Sequence, residues 1–260
     1  MYLANKITNL LFNINFNVEL PQGIEVMNPF TDKATQQIVS SFYNKYYSDN
    51  NPRYCIIGIN PGRLGGGITG IPFTDPIRLE TVCGIHNNWP KKQELSSAFI
   101  YEIIKAFGGA EKFYSRFYFN SVSLLGFTQD GKNLNYYDDK ILAVRIIPFA
   151  VEYFRKQIDL GLNTDIAFCL GEGENYKFLR KLNEQYKLFG NIVSLPHPRF
   201  IMQYKLKTKD VFIERYLSAF SEIAQSLIMF IKVLNFIANF EYVSSRKIYC
   251  FTGCHTTYGI

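Results

Sequence analysis

Four short apolar runs constrain the fold of this chain most. They read YCIIGIN, FYFNSV, DIAFCLG and NIVSLPH, at Tyr54–Asn60, Phe117–Val122, Asp165–Gly171 and Asn191–His197. Near-continuous hydrophobicity over so few residues is typical of strands that are buried on both faces, as in a parallel sheet. The four runs therefore predict the strands of one parallel sheet.

Helical patterns lie between and around these runs. One of them contains Pro148, where a kink or break is expected, and another follows Ser96 and Ser97, either of which can cap it. The patterns cover Ala34–Tyr47, Ser96–Phe107, Asp138–Ile158, Asn175–Tyr186 and Thr208–Ala224. Strands that alternate with helices predict an α/β fold, a three-layer α/β/α sandwich with a central four-stranded parallel sheet.

The domain organisation follows from the absence of internal repeats, linkers and low-complexity tracts before residue 224. Residues 1–224 are predicted to form a single α/β domain, and residues 225–260 a C-terminal extension to which the sequence assigns no role. The extension contains the apolar stretch Leu227–Phe240. This stretch is shorter than the roughly 20 residues of a membrane span and is interrupted by polar residues, so no membrane association is expected.

Net charge and cysteine content limit the partners, the compartment and the cofactors that can be expected. The formal net charge is +6, a mild excess that is compatible with a polyanionic partner such as nucleic acid. Five scattered cysteines in a chain without a signal peptide favour a reducing cytoplasm. The segment Cys250–His255 offers only three neighbouring ligands, fewer than the four of a structural zinc site, so neither a metal nor a cofactor is expected.

Polar residues stand at the carboxyl ends of three predicted strands. Asn60, Asn120 and His197 end the first, second and fourth runs. Ligands of open parallel sheets bind beyond this edge, so the three side chains are expected to converge on one site. Individually, each of them is equally compatible with a turn, a cap or a structural hydrogen bond. Pro61 and Pro198 fix the backbone directly after Asn60 and His197, which suits side chains that must be held still.

The glycine-rich loop after the first strand does not fit a nucleotide cofactor. Gly65–Gly70 matches the letters G-x-G-x-x-G, but a dinucleotide fingerprint must open a helix. Pro72 and Pro76 follow instead and are incompatible with a regular helix, and no lysine takes the place that a phosphate-binding loop requires. We therefore expect no nucleotide cofactor.

Three motifs carry a family likeness. GINPGRLGGGITGIPF, from Gly58 to Phe73, resembles the first motif of the uracil-DNA glycosylase superfamily, in its SMUG-type, single-strand-selective branch. Phe119–Leu125 looks like the base-reading strand of that branch, with Ser123 where proline is usual. Leu195–Phe200 is similar to its histidine motif in a shortened form, which suggests a divergent bacterial subgroup. The likeness covers roughly residues 50–215.

The resemblance implies a monofunctional DNA glycosylase that hydrolyses the N-glycosidic bond of uracil, and of other deaminated bases such as xanthine, in base excision repair. Asn60 would then hold the attacking water, and His197 would stabilise the departing base as an anion. Asn120 would read the flipped base, and the backbone at Gly58 and Ile59 would assist. Phe73 would stack on the base, although a place in the hydrophobic core is an equal alternative for its ring.

The resemblance also implies a DNA-binding surface. Gly66 and Gly67 would let the backbone approach the DNA, whereas Arg63, Arg199 and Lys205 would contact phosphates. Phe200 belongs to an apolar loop that would wedge into the duplex; a helix start with a solvated basic face is the alternative. Six residues are thus predicted to contact DNA: Arg63, Gly66, Gly67, Arg199, Phe200 and Lys205.

The expected partner is DNA that contains deaminated bases, in single or double strands, bound by a monomer in the bacterial cytoplasm. Two other functions stay open on the sequence. One is a lesion-binding or single-stranded-DNA-binding protein that kept the fold without the chemistry. The other is a nucleotide-binding hydrolase or transferase on a doubly wound sheet, which would bind free nucleotides.

Overall fold

The structure, a computed structural model, describes residues 1–221. It contains seven strands: β1 Ile24–Met27, β2 Tyr54–Gly58, β3 Phe117–Ser121, β4 Gly126–Gln129, β5 Lys132–Leu134, β6 Asn163–Leu170 and β7 Asn191–Leu195. Ten helices accompany them: α1 Leu3–Phe12, α2 Lys33–Tyr46, α3 Gly66–Thr69, α4 Pro76–Thr81, α5 Leu95–Phe107, α6 Ala110–Tyr114, α7 Lys140–Arg145, α8 Ile147–Ile158, α9 Glu174–Tyr186 and α10 Pro198–Tyr204. Residues 209–221 are also helical.

The predicted parallel sheet is confirmed. All four apolar runs form its strands, in the order β3-β2-β6-β7, and every neighbouring pair is parallel. The sheet is buried most fully in β3, in β2 after Tyr54 and in the second half of β6. All four carboxyl ends meet at one edge, as the α/β fold requires.

A second, antiparallel sheet was not predicted. It has the strand order β1-β4-β5, and β4 and β5 form a hairpin whose two turn residues are Asp130 and Gly131. Both turn residues have positive φ, 50° and 68°, the turn geometry for which Asp-Gly is a preferred pair. The dipeptide is therefore a local sequence signal for this hairpin.

Helices cover both faces of the parallel sheet, and β3 shows how its side chains divide between them. Tyr118 lies on the side of α2, where its ring contacts Tyr47 at 6.0 Å. Phe117 and Phe119 lie on the opposite side, where both rings contact Phe113 of α6, at 5.0 and 5.5 Å. Side chains of a strand alternate between the two faces, so this division fixes the direction of the residues that follow.

Several predicted helices begin or break where local chemistry dictates. The long pattern through Pro148 forms two helices, α7 and α8, because proline is accommodated in the first turn of α8 and not inside a helix. Helix α5 begins at Leu95 and not after a serine cap; Glu94 is its N-cap residue, and its side chain makes no capping hydrogen bond. The hydroxyl of Ser97 instead accepts a hydrogen bond from the backbone N–H of Asp75.

The chain divides into two compact units, Met1–Glu214 and Arg215–Ile260. The predicted boundary at residue 224, the C-terminal extension and the Cys250–His255 segment all lie outside the described residues. Cys55 and Cys169 are buried within β2 and β6, and burial raises the pKa of both thiols to about 12. No helix within residues 1–221 is both long and apolar enough to cross a membrane.

Candidate active site

A cavity of about 280 Å³ lies at the carboxyl ends of β2, β3 and β7. The loop after β2 forms one wall, and the residues that follow β7 form another. Residues from these strand ends and from the intervening loops line it: Ile59, Asn60, Arg63, Phe73, Glu94, Ser121, Asn133, Asn135, His197 and Arg199. The structure thus brings Asn60 and His197, predicted from different strands, to one cavity.

The side-chain amide of Asn60 is held by backbone groups at the end of β5 and just beyond it. Its Nδ2 donates to the carbonyl oxygen of Leu134 at 3.1 Å, and its Oδ1 accepts from the backbone N–H of Tyr136 at 3.0 Å. A primary amide has two N–H groups and an oxygen with two lone pairs. One donor and one acceptor position therefore remain on Asn60, in an orientation that the two backbone contacts fix.

His197 is the N-cap residue of α10, and one of its two ring nitrogens has a hydrogen-bond partner. Nδ1 accepts a hydrogen bond from the backbone N–H of Arg199 at 3.2 Å. In the neutral ring the proton then resides on Nε2. Burial, and to a lesser degree the Arg199 guanidinium, lowers the pKa of His197 from 6.5 to about 4. At neutral pH the ring is an uncharged hydrogen-bond donor through Nε2.

Phe73 forms an aromatic wall of the cavity and packs directly on β2. An ideal Cβ on Gly58 would lie 2.7 Å from Cζ of Phe73, so the ring occupies the space that a side chain at Gly58 would need. Phe73 has a φ of 53°, a strained value for a bulky residue. Its ring contacts those of Phe119 and His197, at 5.2 and 6.4 Å between centroids.

Asn120 is not brought to the cavity wall, in contrast to the sequence-based expectation. Its neighbours Phe119 and Ser121 lie on the Phe73 side of β3, since the Ser121 hydroxyl approaches the Cβ position of Gly58 within 3.2 Å. Alternation along the strand directs Asn120 to the opposite face. Asn120 is fully buried, its Oδ1 accepts from the N–H of Ser121, and its Nδ2 has no partner among the described residues. Ser121 is the polar side chain that β3 gives to the cavity.

The two glycines predicted to approach DNA are required by packing inside the protein. An ideal Cβ on Gly67 would lie 2.8 Å from the carbonyl oxygen of Gly62. One on Gly66 would lie 3.2 Å from the carbonyl oxygen of Ile71 and 3.3 Å from Cβ of Pro61. These contacts account for both glycines without a ligand, so their predicted role in DNA contact stays a prediction.

The remaining predicted DNA contacts lie around the cavity mouth. Arg63 and Arg199 are exposed and line the cavity. Arg199 and the 44% exposed Phe200 also line an adjoining groove of about 720 Å³, together with Tyr204. The rings of Phe200 and Tyr204 are 5.6 Å apart, one helical turn from each other on α10. Lys205 is exposed at the end of that helix, outside the groove.

Glu94 is a cavity residue that the sequence did not reveal. Its carboxyl group lies in the wall formed by the glycine loop. Burial raises its pKa to about 7, the neighbouring Asp75 adds to the rise, and Arg199 opposes it. Asp75 itself is the N-cap of α4 and accepts hydrogen bonds from the backbone N–H groups of Arg78 and Glu94. In the part of the chain that the structure describes, no cluster of three or more His, Cys, Asp or Glu residues is arranged to hold a metal ion.

Comparisons with known proteins identify the class that this fold and site define. The family described as the uracil DNA glycosylase superfamily matches residues 44–221, and the chain belongs to it. Members of this superfamily are DNA glycosylases, which supports a function of the uracil-DNA glycosylase type. No curated protein matches the chain.

A solved structure refines this assignment within the superfamily. The chain is similar to the crystal structure of wild-type SMUG2 from Pedobacter heparinus, with 50% sequence identity and a TM-score of 0.84. The match covers 86% of this chain and 99% of the other. The resemblance to the SMUG-type branch is thereby confirmed.

Proposed function

We propose that this protein is a monofunctional DNA glycosylase that hydrolyses the N-glycosidic bond of uracil in DNA, with other deaminated bases such as xanthine as further substrates. One observation carries the proposal: a neutral His197 with its proton on Nε2 shares a cavity with an oriented Asn60. A base that leaves as an anion needs a hydrogen-bond donor, and a sugar that becomes a cation needs a water molecule.

His197 would act on the departing base. As the C1′–N1 bond breaks, negative charge develops on the O2 atom of uracil, and a fixed N–H donor nearby lowers the barrier. Because burial lowers the pKa of His197 to about 4, the ring is neutral at pH 7 and would act as a hydrogen-bond donor and not as a general acid. Neutral histidines in buried active sites are known to polarise a substrate oxygen in this way.

Asn60 would hold the water beneath the anomeric carbon. Its amide is too weak a base to remove a proton, but its free donor and acceptor positions can fix the orientation of one water molecule. The hydrogen bonds to the backbone at Leu134 and Tyr136 hold the amide in this orientation before a substrate binds. Preorganisation of this kind lowers the entropic part of the barrier.

Recognition of the base would involve the Phe73 ring and the Ser121 hydroxyl. An aromatic wall offers a stacking surface to a nucleobase that has been flipped out of the helix, and a hydroxyl can donate to or accept from its polar edge. Both groups lie within a few ångströms of the Gly58 backbone. A base of the wrong pattern would leave buried polar groups unpaired, at about 1–3 kcal/mol each.

The exposed surface beside the cavity suits DNA. Arg63, Arg199 and Lys205 can contact phosphates, and Phe200 with Tyr204 presents an aromatic ridge that can enter the base stack. We expect the protein to act as a monomer and in the bacterial cytoplasm; both stay predictions.

The test is excision from an oligonucleotide with a single uracil, followed by alkali, which cleaves the strand at an abasic site. Strand cleavage by the wild-type protein, lost in His197→Ala, supports the proposal. Tight binding of the same oligonucleotide without cleavage contradicts it in favour of a lesion-binding protein. Affinity for free nucleotides that DNA does not displace contradicts it in favour of a nucleotide-binding enzyme. A panel with xanthine and hypoxanthine, in single and double strands, defines the substrate range.

A further inference from the structure

The glycine loop closes around a carboxyl group. An ideal Cβ on Gly62 would lie 2.6 Å from Oε1 of Glu94, and one on Gly65 would collide with Oε2 of the same residue. No side chain at either position is compatible with this placement. The carboxyl group of Glu94 therefore lies against the backbone two residues beyond Asn60, on the wall of the same cavity.

The half-buried carboxyl group of Glu94 has no hydrogen-bond partner among the described residues. Within residues 1–221, neither Oε1 nor Oε2 of Glu94 has a hydrogen bond or an ion pair. The nearby carboxylate of Asp75 is fully buried and is neutralised by Arg78, whose guanidinium lies 3.0 Å away. Glu94 is half-buried, and its carboxyl group lines the cavity without a protein partner, so it is available to a bound molecule; groups whose pKa is perturbed in this way are concentrated at functional sites.

The other charged and titratable groups that face Glu94 come from three elements. Asp75 at the start of α4 disfavours the ionised form, whereas Arg199 of α10 favours it. Arg63 of the glycine loop and the neutral His197 line the same cavity. Because only one of these groups is an anion, the site accepts an ionised Glu94 near neutral pH, where its carboxylate is a far stronger base than an amide.

We propose that Glu94 is a catalytic carboxylate that accepts the proton of the attacking water. This inference rests on the proposed glycosylase function and deepens it. Asn60 holds the water, the C1′–N1 bond breaks with its electron pair leaving on the base, and the water oxygen bonds to C1′. The proton released from that water passes to the Glu94 carboxylate. The base departs as an anion stabilised by His197 and is protonated in solution.

The first measurement requires no variant. Single-turnover excision of uracil by the wild-type protein is followed from pH 5.5 to 8.5 with saturating enzyme. The rate is expected to rise with pH and to level off once Glu94 is ionised, since only the carboxylate accepts a proton. Excision that is fast but independent of pH over this range overturns the proposal and leaves the glycosylase function standing. Absence of excision overturns both.

The second measurement compares two substitutions with a matched control. Glu94→Gln is expected to lower the plateau rate about 100-fold and to remove the pH dependence. Glu94→Ala leaves space against Gly62 and Gly65 that formate can enter, so added formate, but not chloride at equal ionic strength, is expected to restore part of its rate. Glu102→Gln, which alters an exposed carboxylate paired with Lys209, is the control and should behave as wild type. A wild-type rate and pH profile in Glu94→Gln overturns the proposal.

Discussion

The backbone N–H of Arg199 donates a hydrogen bond to Nδ1 of His197 across 3.2 Å. The two residues are separated only by Pro198, which begins α10, so the contact belongs to the geometry of the helix start. It assigns the ring proton to Nε2, the nitrogen that is free to act on a substrate. A three-residue segment thereby determines both the orientation and the tautomer of the ring.

His197 is expected to stay neutral well below the usual titration range of histidine. Because burial lowers its pKa to about 4, its NMR ring signals should not shift between pH 7 and 5.5. The signals are assigned by their loss in His197→Gln. His197→Ala should lower single-turnover excision about 100-fold or more, because one oxyanion donor is lost. A midpoint near pH 6.5 for these signals would contradict the assignment of a neutral ring.

Asn60 is expected to be sensitive even to an isosteric change. Asn60→Asp keeps the acceptor for the Tyr136 N–H but replaces the donor to the Leu134 carbonyl by a second oxygen. Loss of that hydrogen bond should lower the free energy of unfolding by about 1–3 kcal/mol at pH 8, as measured by urea denaturation. Asn60→Ala should lower excision about 100-fold, because the water is no longer oriented. Excision at the wild-type rate in both variants would remove Asn60 from the mechanism.

Gly58 and Phe73 are expected to be coupled. A Cβ at Gly58 would lie 2.7 Å from the Phe73 ring, so Gly58→Ala should displace the ring and lower the free energy of unfolding by about 1–3 kcal/mol. In a Phe73→Ala background the same substitution should cost less than half as much. Chemical denaturation of the two single variants and the double variant measures the coupling. Additive effects would show that the two residues do not share this space.

Glu94 is expected to make the fold less stable as the pH rises. Its pKa is raised from 4.5 to about 7, so the native state binds more protons than the unfolded state between these values. The free energy of unfolding therefore falls as the pH increases through this window. Glu94→Gln should be more stable than wild type by about 1–3 kcal/mol at pH 8.5 and by much less at pH 5. Equal differences at both pH values would show that the carboxyl pKa is not raised.

The aromatic ridge of α10 is expected to matter more for duplex than for single strands. Phe200→Ala should slow uracil excision from double-stranded DNA about 10-fold, because the flipped base then returns to the stack more readily, and should affect single strands little. Val144→Ala, which removes an exposed apolar side chain from α7, away from the cavity and the groove, is the control. An equal loss on both substrates would assign Phe200 to general binding and not to base flipping.

The parallel sheet and its catalytic edge could be predicted because buried strands leave a continuous apolar signal and end in polar residues. That argument places Asn60 and His197 correctly at one cavity. Asn120 does not line this cavity, because consecutive residues of a strand face opposite sides and Ser121 lines it instead. Only the ring contacts of Phe119 decide which of the two faces Phe73. The predicted role of Asn120 in reading the base stays a prediction.

Other parts of the site carry no local signal. Glu94 lies 34 positions beyond Asn60 in sequence and reaches the cavity through the packing of α5, which no short motif encodes. The sequence does show that the glycine loop must allow a close approach. It does not show that the approaching groups belong to the protein itself, namely Glu94 at Gly62 and Gly65 and the Gly62 carbonyl at Gly67.

The hydrogen bonds that orient Asn60 link the small antiparallel sheet to the candidate active site. The Asn60 amide is hydrogen-bonded to Leu134, the last residue of β5, and to Tyr136, two residues further on. Asn60 follows a strand of the parallel sheet, but both of its hydrogen-bond partners lie at the end of the antiparallel sheet or just beyond it. A design that grafts only the parallel sheet and its loops onto another scaffold would include Asn60 but would lack the two backbone groups that orient its amide. If Asn60 holds the attacking water as proposed, both sheets contribute to the activity, and removal of the antiparallel sheet should impair it.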